Sequence, residues 1–147
     1  MRLKPAFTLV EILIVVTLFG LTFFPFYFAY VRSQSNQALV VSTEQFSDIL
    51  RSAHVFSREA KDKKIWAVRK ESLTSYAMLS SAGSGWKIEK SYQLEKNVSF
   101  VDDFFIKFKI GTGEIDEDKH VILENKYGKQ MKVKILKAGV VEVYALN

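Results

Sequence analysis

Glu11 is the one carboxylate inside an apolar run that opens at Phe7 and reaches Val31; from Ile12 to Val31 there is no Asp, Glu, Lys or Arg. A charge at the centre of a bilayer costs about 2.5–3.5 kcal/mol on insertion scales, and such residues are functional by default. The residue type therefore calls for a cation equally removed from water. A second set is basic. Lys126, Lys129, Lys132, Lys134 and Lys137 cluster near the end of the chain, where they could hold the phosphates of a nucleic acid. The plainer interpretation is a solvated strand face that discourages edge pairing. A third set is acidic. Glu114-Ile115-Asp116-Glu117-Asp118 offers oxygens of the kind Ca²⁺ takes, but not at EF-hand spacing, which favours a solvated loop. The two histidines, His54 and His120, fall in different elements, and there is no cysteine to join them as ligands. No metal site and no cofactor is expected. Nor is an enzyme: there is no nucleophile with a base, no glycine-rich phosphate loop before a helix, and no metal-ligand spacing.

The elements that position these residues begin with the apolar run. Twenty residues at about 1.5 Å rise cover roughly 30 Å, the thickness of a bilayer core. Arg2 and Lys4 precede it and Arg32 follows it, which keeps the short leader in the cytoplasm and sends the remainder outward. A cleavable secretory signal would have a shorter apolar core and a small-x-small site, absent from Phe28-Ala29-Tyr30-Val31-Arg32. A plain single-pass anchor would leave Glu11 without a purpose. Pro25 removes a helical hydrogen bond and Gly20 loosens the same stretch, so a bent or partly opened helix is expected between Gly20 and Tyr27.

Beyond the run, Phe46, Ile49, Leu50, Ala53, Phe56 and Ala60 follow the spacing of one helical face, with Ser47, Asp48, Arg51, Ser52, Arg58 and Glu59 mostly elsewhere. From about Ile65 the period changes to 2. Strands are predicted at Ile65–Arg69, Tyr76–Leu79, Trp86–Lys90, Phe104–Ile110, His120–Glu124, Met131–Ile135 and Val140–Tyr144, separated by Gly83-Ser84-Gly85, Gly111-Thr112-Gly113, Tyr127-Gly128 and Ala138-Gly139. A β domain this small and without disulfides is marginal alone, so the amphipathic half of the helix must complete its core. The fold class is α+β: a long N-terminal helix, apolar then amphipathic, packed on a small antiparallel β-sheet domain. The expected divisions are 1–6, a leader; 7–31, the membrane half of the helix; 32–60, its amphipathic half; and 61–147, the β domain.

The string Lys4-Pro5-Ala6-Phe7-Thr8-Leu9-Val10-Glu11 before a long apolar run resembles the N-terminus of type IV pilins and pseudopilins. The resemblance implies cleavage between Ala6 and Phe7 by a prepilin peptidase and N-methylation of Phe7. The family usually has Gly as the last leader residue; Ala6 is the next smallest side chain. Loss of Arg2 and Lys4 takes the formal charge from +5 to +3. The new amine at Phe7 would supply the missing cation, meeting Glu11 of a neighbouring subunit and setting filament register. The helix followed by seven or eight short strands, with Gly139 before Val140-Val141-Glu142-Val143, is similar to H-type minor pseudopilins of type II secretion and to fimbrial T-type minor pilins. The partners this implies are other subunits, the peptidase and an inner-membrane assembly platform. The role implied is a structural subunit for protein secretion, adhesion and motility, or DNA uptake, held in the inner membrane with its C-terminal domain outside the cytoplasm. The alternatives are a DNA-binding minor pilin using the C-terminal lysines, and a plain anchored extracytoplasmic domain.

Overall fold

The computed structural model describes residues 8–83 and 85–146; Ala6 and Phe7 lie outside them. Two compact units divide between Gln34 and Ser35. A single helix, α1, spans Leu9–Arg58, and among the described residues it is the one helix long and apolar enough to cross a membrane. It stays helical through Gly20 and Pro25. Of the two forms expected between Gly20 and Tyr27, bent or partly opened, the opened one is therefore absent. The neighbouring hydroxyls turn inward on the helix: Thr17 donates to the Leu13 carbonyl at 2.7 Å and Thr22 to the Leu18 carbonyl, so neither needs water in an apolar stretch.

In the second unit α1 ends at Arg58, where Ala60 takes a left-handed conformation (φ 50°). The Ser57 carbonyl accepts the Ala60 N–H at 3.1 Å and also the N–H of distant Gly111 at 2.7 Å, which ties the β5–β6 loop to the helix end. Eight strands follow: β1 Ile65–Lys70, β2 Ser75–Ser81, β3 Lys87–Gln93, β4 Val98–Phe100, β5 Phe105–Phe108, β6 Lys119–Asn125, β7 Gln130–Ile135 and β8 Val141–Leu146. They form two antiparallel four-stranded sheets, ordered β3-β2-β1-β5 and β4-β6-β7-β8. Strands β3 to β6 thus alternate between the sheets. Seven of the eight match the periodicity; β4, three residues long, is too short to show a period. The run expected to continue to Ile110 stops at Phe108, because the chain then folds into a loop tied back to Ser57.

One core joins both sheets to the helix. Leu39, Phe46, Leu50 and Ala53 of α1 pack with Trp66, Val68, Tyr76, Met78, Ile106 and Phe108 of the first sheet and Val98, Phe100, Val121, Leu123, Val133, Ile135 and Val141 of the second. Phe46 is the hub: its ring lies 5.1 Å from Tyr76, 5.3 Å from Phe100 and 5.2 Å from Phe104. The buried helix face begins earlier than the apolar spacing indicates, at Ser35, and it is rich in hydroxyls: Ser42, Thr43, Ser47 and Ser57 are buried with it. Ser47 was expected off this face. It is accommodated because its hydroxyl donates to the Glu44 carbonyl, as Thr43 does to Leu39. Ser42 Oγ accepts the Glu95 N–H at 3.0 Å and fastens the β3–β4 connection to the helix. Asn125, also buried, donates from Nδ2 to Asn36 Oδ1 at 2.9 Å and accepts the Tyr127 and Lys129 N–H groups on Oδ1, holding the β6–β7 turn to α1.

Candidate functional site

The helix start that carries Glu11 is built by four residues. Thr8 precedes the first helical residue, and its Oγ1 accepts the Glu11 N–H at 3.3 Å. Glu11 Oε2 reciprocates, accepting the Thr8 N–H and the Thr8 hydroxyl, each at 3.0 Å. This is a capping box, Thr-x-x-Glu, which satisfies donors that a helix start leaves free. It also puts a negative group where the helix dipole favours one. Glu11 therefore has work within its own chain, a role the four-residue spacing signals and the charge alone does not. Among the described residues it has no ion-pair partner. The cleavage, methylation and pairing expected at Ala6 and Phe7 lie outside the described residues.

Every described residue from Leu9 to Tyr30 is exposed. Phe19 and Phe23 stack with centroids 5.7 Å apart, and Phe24 and Phe28 meet edge to face at 4.8 Å, the i,i+4 contacts of a helix surface. The segment is apolar around its circumference, so it needs lipid or other polypeptides to cover it. Glu11 borders that surface at its N-terminal end.

His54 sits in a different setting. Gly113, from the β5–β6 loop, and Gly139, before β8, have φ of +73° and +82°, and a Cβ on either would overlap the His54 imidazole. At Gly139 the same Cβ would also lie 2.5 Å from the Gly113 carbonyl oxygen. The glycine before the last strand is thus explained: it lets two turns close over a helix side chain. Burial is the main cause lowering the pKa of His54 below 6.5, and Arg58 on the same helix adds to it. The unfolded chain binds the proton more readily, so stability rises with pH across the window between the folded value and 6.5, and is lost on acidification through it. Thermal melts from pH 7.5 down to 5 should show this fall, and a H54N variant should show less of it. An unchanged profile in the variant would remove the assignment.

The five lysines are not gathered into one row. Lys132 and Lys134 share the outer face of β7, but Lys134 lies in register with Glu142 and pairs with Asp118 at 3.8 Å. Lys126 and Lys129 flank the β6–β7 turn, and Lys137 follows the other end of β7. His120 is exposed opposite Lys134. The acidic stretch is an exposed loop anchored by buried Ile115. Asp116 pairs with Lys109 at 3.3 Å, and Asp118 Oδ1 accepts the Lys137 N–H at 2.7 Å. Among the described residues no cluster of three or more His, Asp or Glu side chains is placed to hold a metal. Comparison with protein-family models, with characterised proteins and with solved structures finds no match to this chain.

Proposed function

We propose that the chain is a minor pilin or pseudopilin, a structural subunit of a type IV pilus-like filament. On this account it is cut between Ala6 and Phe7, methylated at Phe7, held by one span in the inner membrane with its C-terminal unit outside the cytoplasm, and drawn into a filament by an assembly platform. The observation that supports it most is the stem. An apolar helix with no cover from its own chain carries one carboxylate at its N-terminal end, while the unit from Ser35 onward has a core of its own. A stem of this kind can serve both lipid and a bundle of like helices. A plain anchor would use the carboxylate only as the cap of its own helix start; a filament subunit would use its charge as well.

The deciding measurement is intact mass and N-terminal sequence of the protein from its native membrane. A start at methylated Phe7 is expected. A start at Met1 would make the chain a static anchor, and a start beyond Tyr30 would make it a secreted β domain.

A further inference from the structure

The outer face of the first sheet, the one turned away from α1, carries its own small apolar cluster. Ala67, Ala77 and Leu79 of the central strands are fully buried there. Trp86 enters from just before β3 at one edge, and Phe105 stands on β5 at the other edge. Their rings nonetheless meet edge to face, with centroids 5.3 Å apart. That contact bridges the two central strands, and the short side chains of Ala67 and Ala77 leave room for it. A bulge between Met78 and Leu79 brings Ile88 of β3 opposite Leu79, adding to the same face. The cover is incomplete: Trp86 is 39% exposed, Phe105 37% and Ile88 47%.

Two cations flank the rings. Arg69 pairs in register with Phe105, and Ala67 with Lys107, so Arg69 and Lys107 are diagonal neighbours on this face. Both are exposed, and neither makes an ion pair among the described residues. Glu71 at the rim is occupied, accepting a hydrogen bond from Ser91 Oγ at 3.1 Å. Diagonal neighbours stand about 7–8 Å apart. An extended chain repeats the same side every two residues, at about 3.3 Å each, which matches that spacing.

We propose that this face docks an acidic, extended segment of a partner protein. Carboxylates on alternate residues engage Arg69 and Lys107, and an apolar side chain two residues further on packs against the Trp86–Phe105 ring pair. A nucleic acid fits less well, since its affinity comes from many neutralised phosphates and this face offers two free cations beside rings already packed on each other. The surface does not depend on the filament assignment.

The test uses the full chain in detergent micelles, titrated by calorimetry with a blocked peptide of the pattern Asp-Ser-Asp-Ser-Leu. Saturable binding is expected, weakened roughly tenfold by the double variant R69E/K107E, since two exposed ion pairs together are worth about that factor. The accompanying change in Trp emission should vanish in W86F, because Trp66, the other tryptophan, is buried. A matching peptide with Lys for Asp should not bind. Absence of saturable binding, or affinity unmoved by the double charge reversal in a protein that melts like wild type, would overturn the proposal. Tighter binding of oligothymidylate would assign the face to nucleic acid instead. Concentration-dependent self-association that R69E/K107E abolishes, with no peptide binding, would assign it to a second copy of this chain.

Discussion

On the proposed filament assignment, a Glu11→Gln protein should fold, insert and keep its helix start, yet fail to form filaments. Glutamine at the third helical position preserves the reciprocal hydrogen bonds with Thr8, which the structure shows as two contacts from Glu11 Oε2 and one to its N–H. It removes only the charge. If a neighbouring subunit's amine at Phe7 is the partner in the filament, that amine is left buried and unpaired. Breaking a buried pair from one side costs about 3–5 kcal/mol, which is two orders of magnitude or more in an association constant. Glu11→Val would lose both the charge and the Glu11 half of the capping box, leaving only the Thr8 Oγ1 bond to the residue-11 N–H. The measurement is the yield of sheared filaments from cells carrying each variant, with membrane fractions blotted for total protein. Normal filaments from Glu11→Gln alongside defective ones from Glu11→Val would mean that Glu11 serves as a helix cap and not as a register charge.

Phe46→Ala should be the most damaging single substitution in the unit from Ser35 onward. Its ring is completely buried and touches three other aromatic rings, drawn from β2, β4 and the residue before β5. Truncating a buried Phe costs about 3–5 kcal/mol, against a total of about 5–15 kcal/mol for a typical domain. Both sheets lose a shared contact with α1 at once. Chemical denaturation of the full chain in micelles, followed by emission of buried Trp66, should show the midpoint falling accordingly. Phe56→Ala is the comparison. Phe56 is only half-buried between Trp66 and Lys61, and its loss should cost distinctly less. A Phe46→Ala midpoint within the shift given by Phe56→Ala would show that the aromatic cluster is not the centre of the core.

Both expected results rest on features of different visibility in the sequence. The apolar run, the amphipathic turn of the helix after it and seven of eight strands are readable from the chain, because each depends on a spacing of 3.6 or 2 between near neighbours. The Thr8–Glu11 capping box is equally local, since a Thr-x-x-Glu spacing carries it, but the charge of Glu11 by itself says nothing of those hydrogen bonds. The α+β class followed from the same local patterns and from the need to complete a small core.

What the chain could not disclose is which elements meet. The alternation of β3, β4, β5 and β6 between two sheets depends on pairings such as Phe100 with Leu123 and Ile106 with Val68, and strand pairing leaves no mark in the period of either strand. Ser47 looked polar and therefore outward; it is buried because its hydroxyl bonds to its own helix, and hydrophobic spacing does not register that. His54 acquired its meaning only when two glycine turns distant in sequence closed over it. The same holds for Trp86, whose contact with Phe105 across Ala67 and Ala77 turns four scattered residues into one surface. The sequence alone determined the helix, seven of the eight strands and most of their faces, since those are set by local backbone geometry and water. Tertiary structure decided the two sheets, the closed glycine turns and the aromatic surface, since those depend on side chains brought together from far apart in the chain.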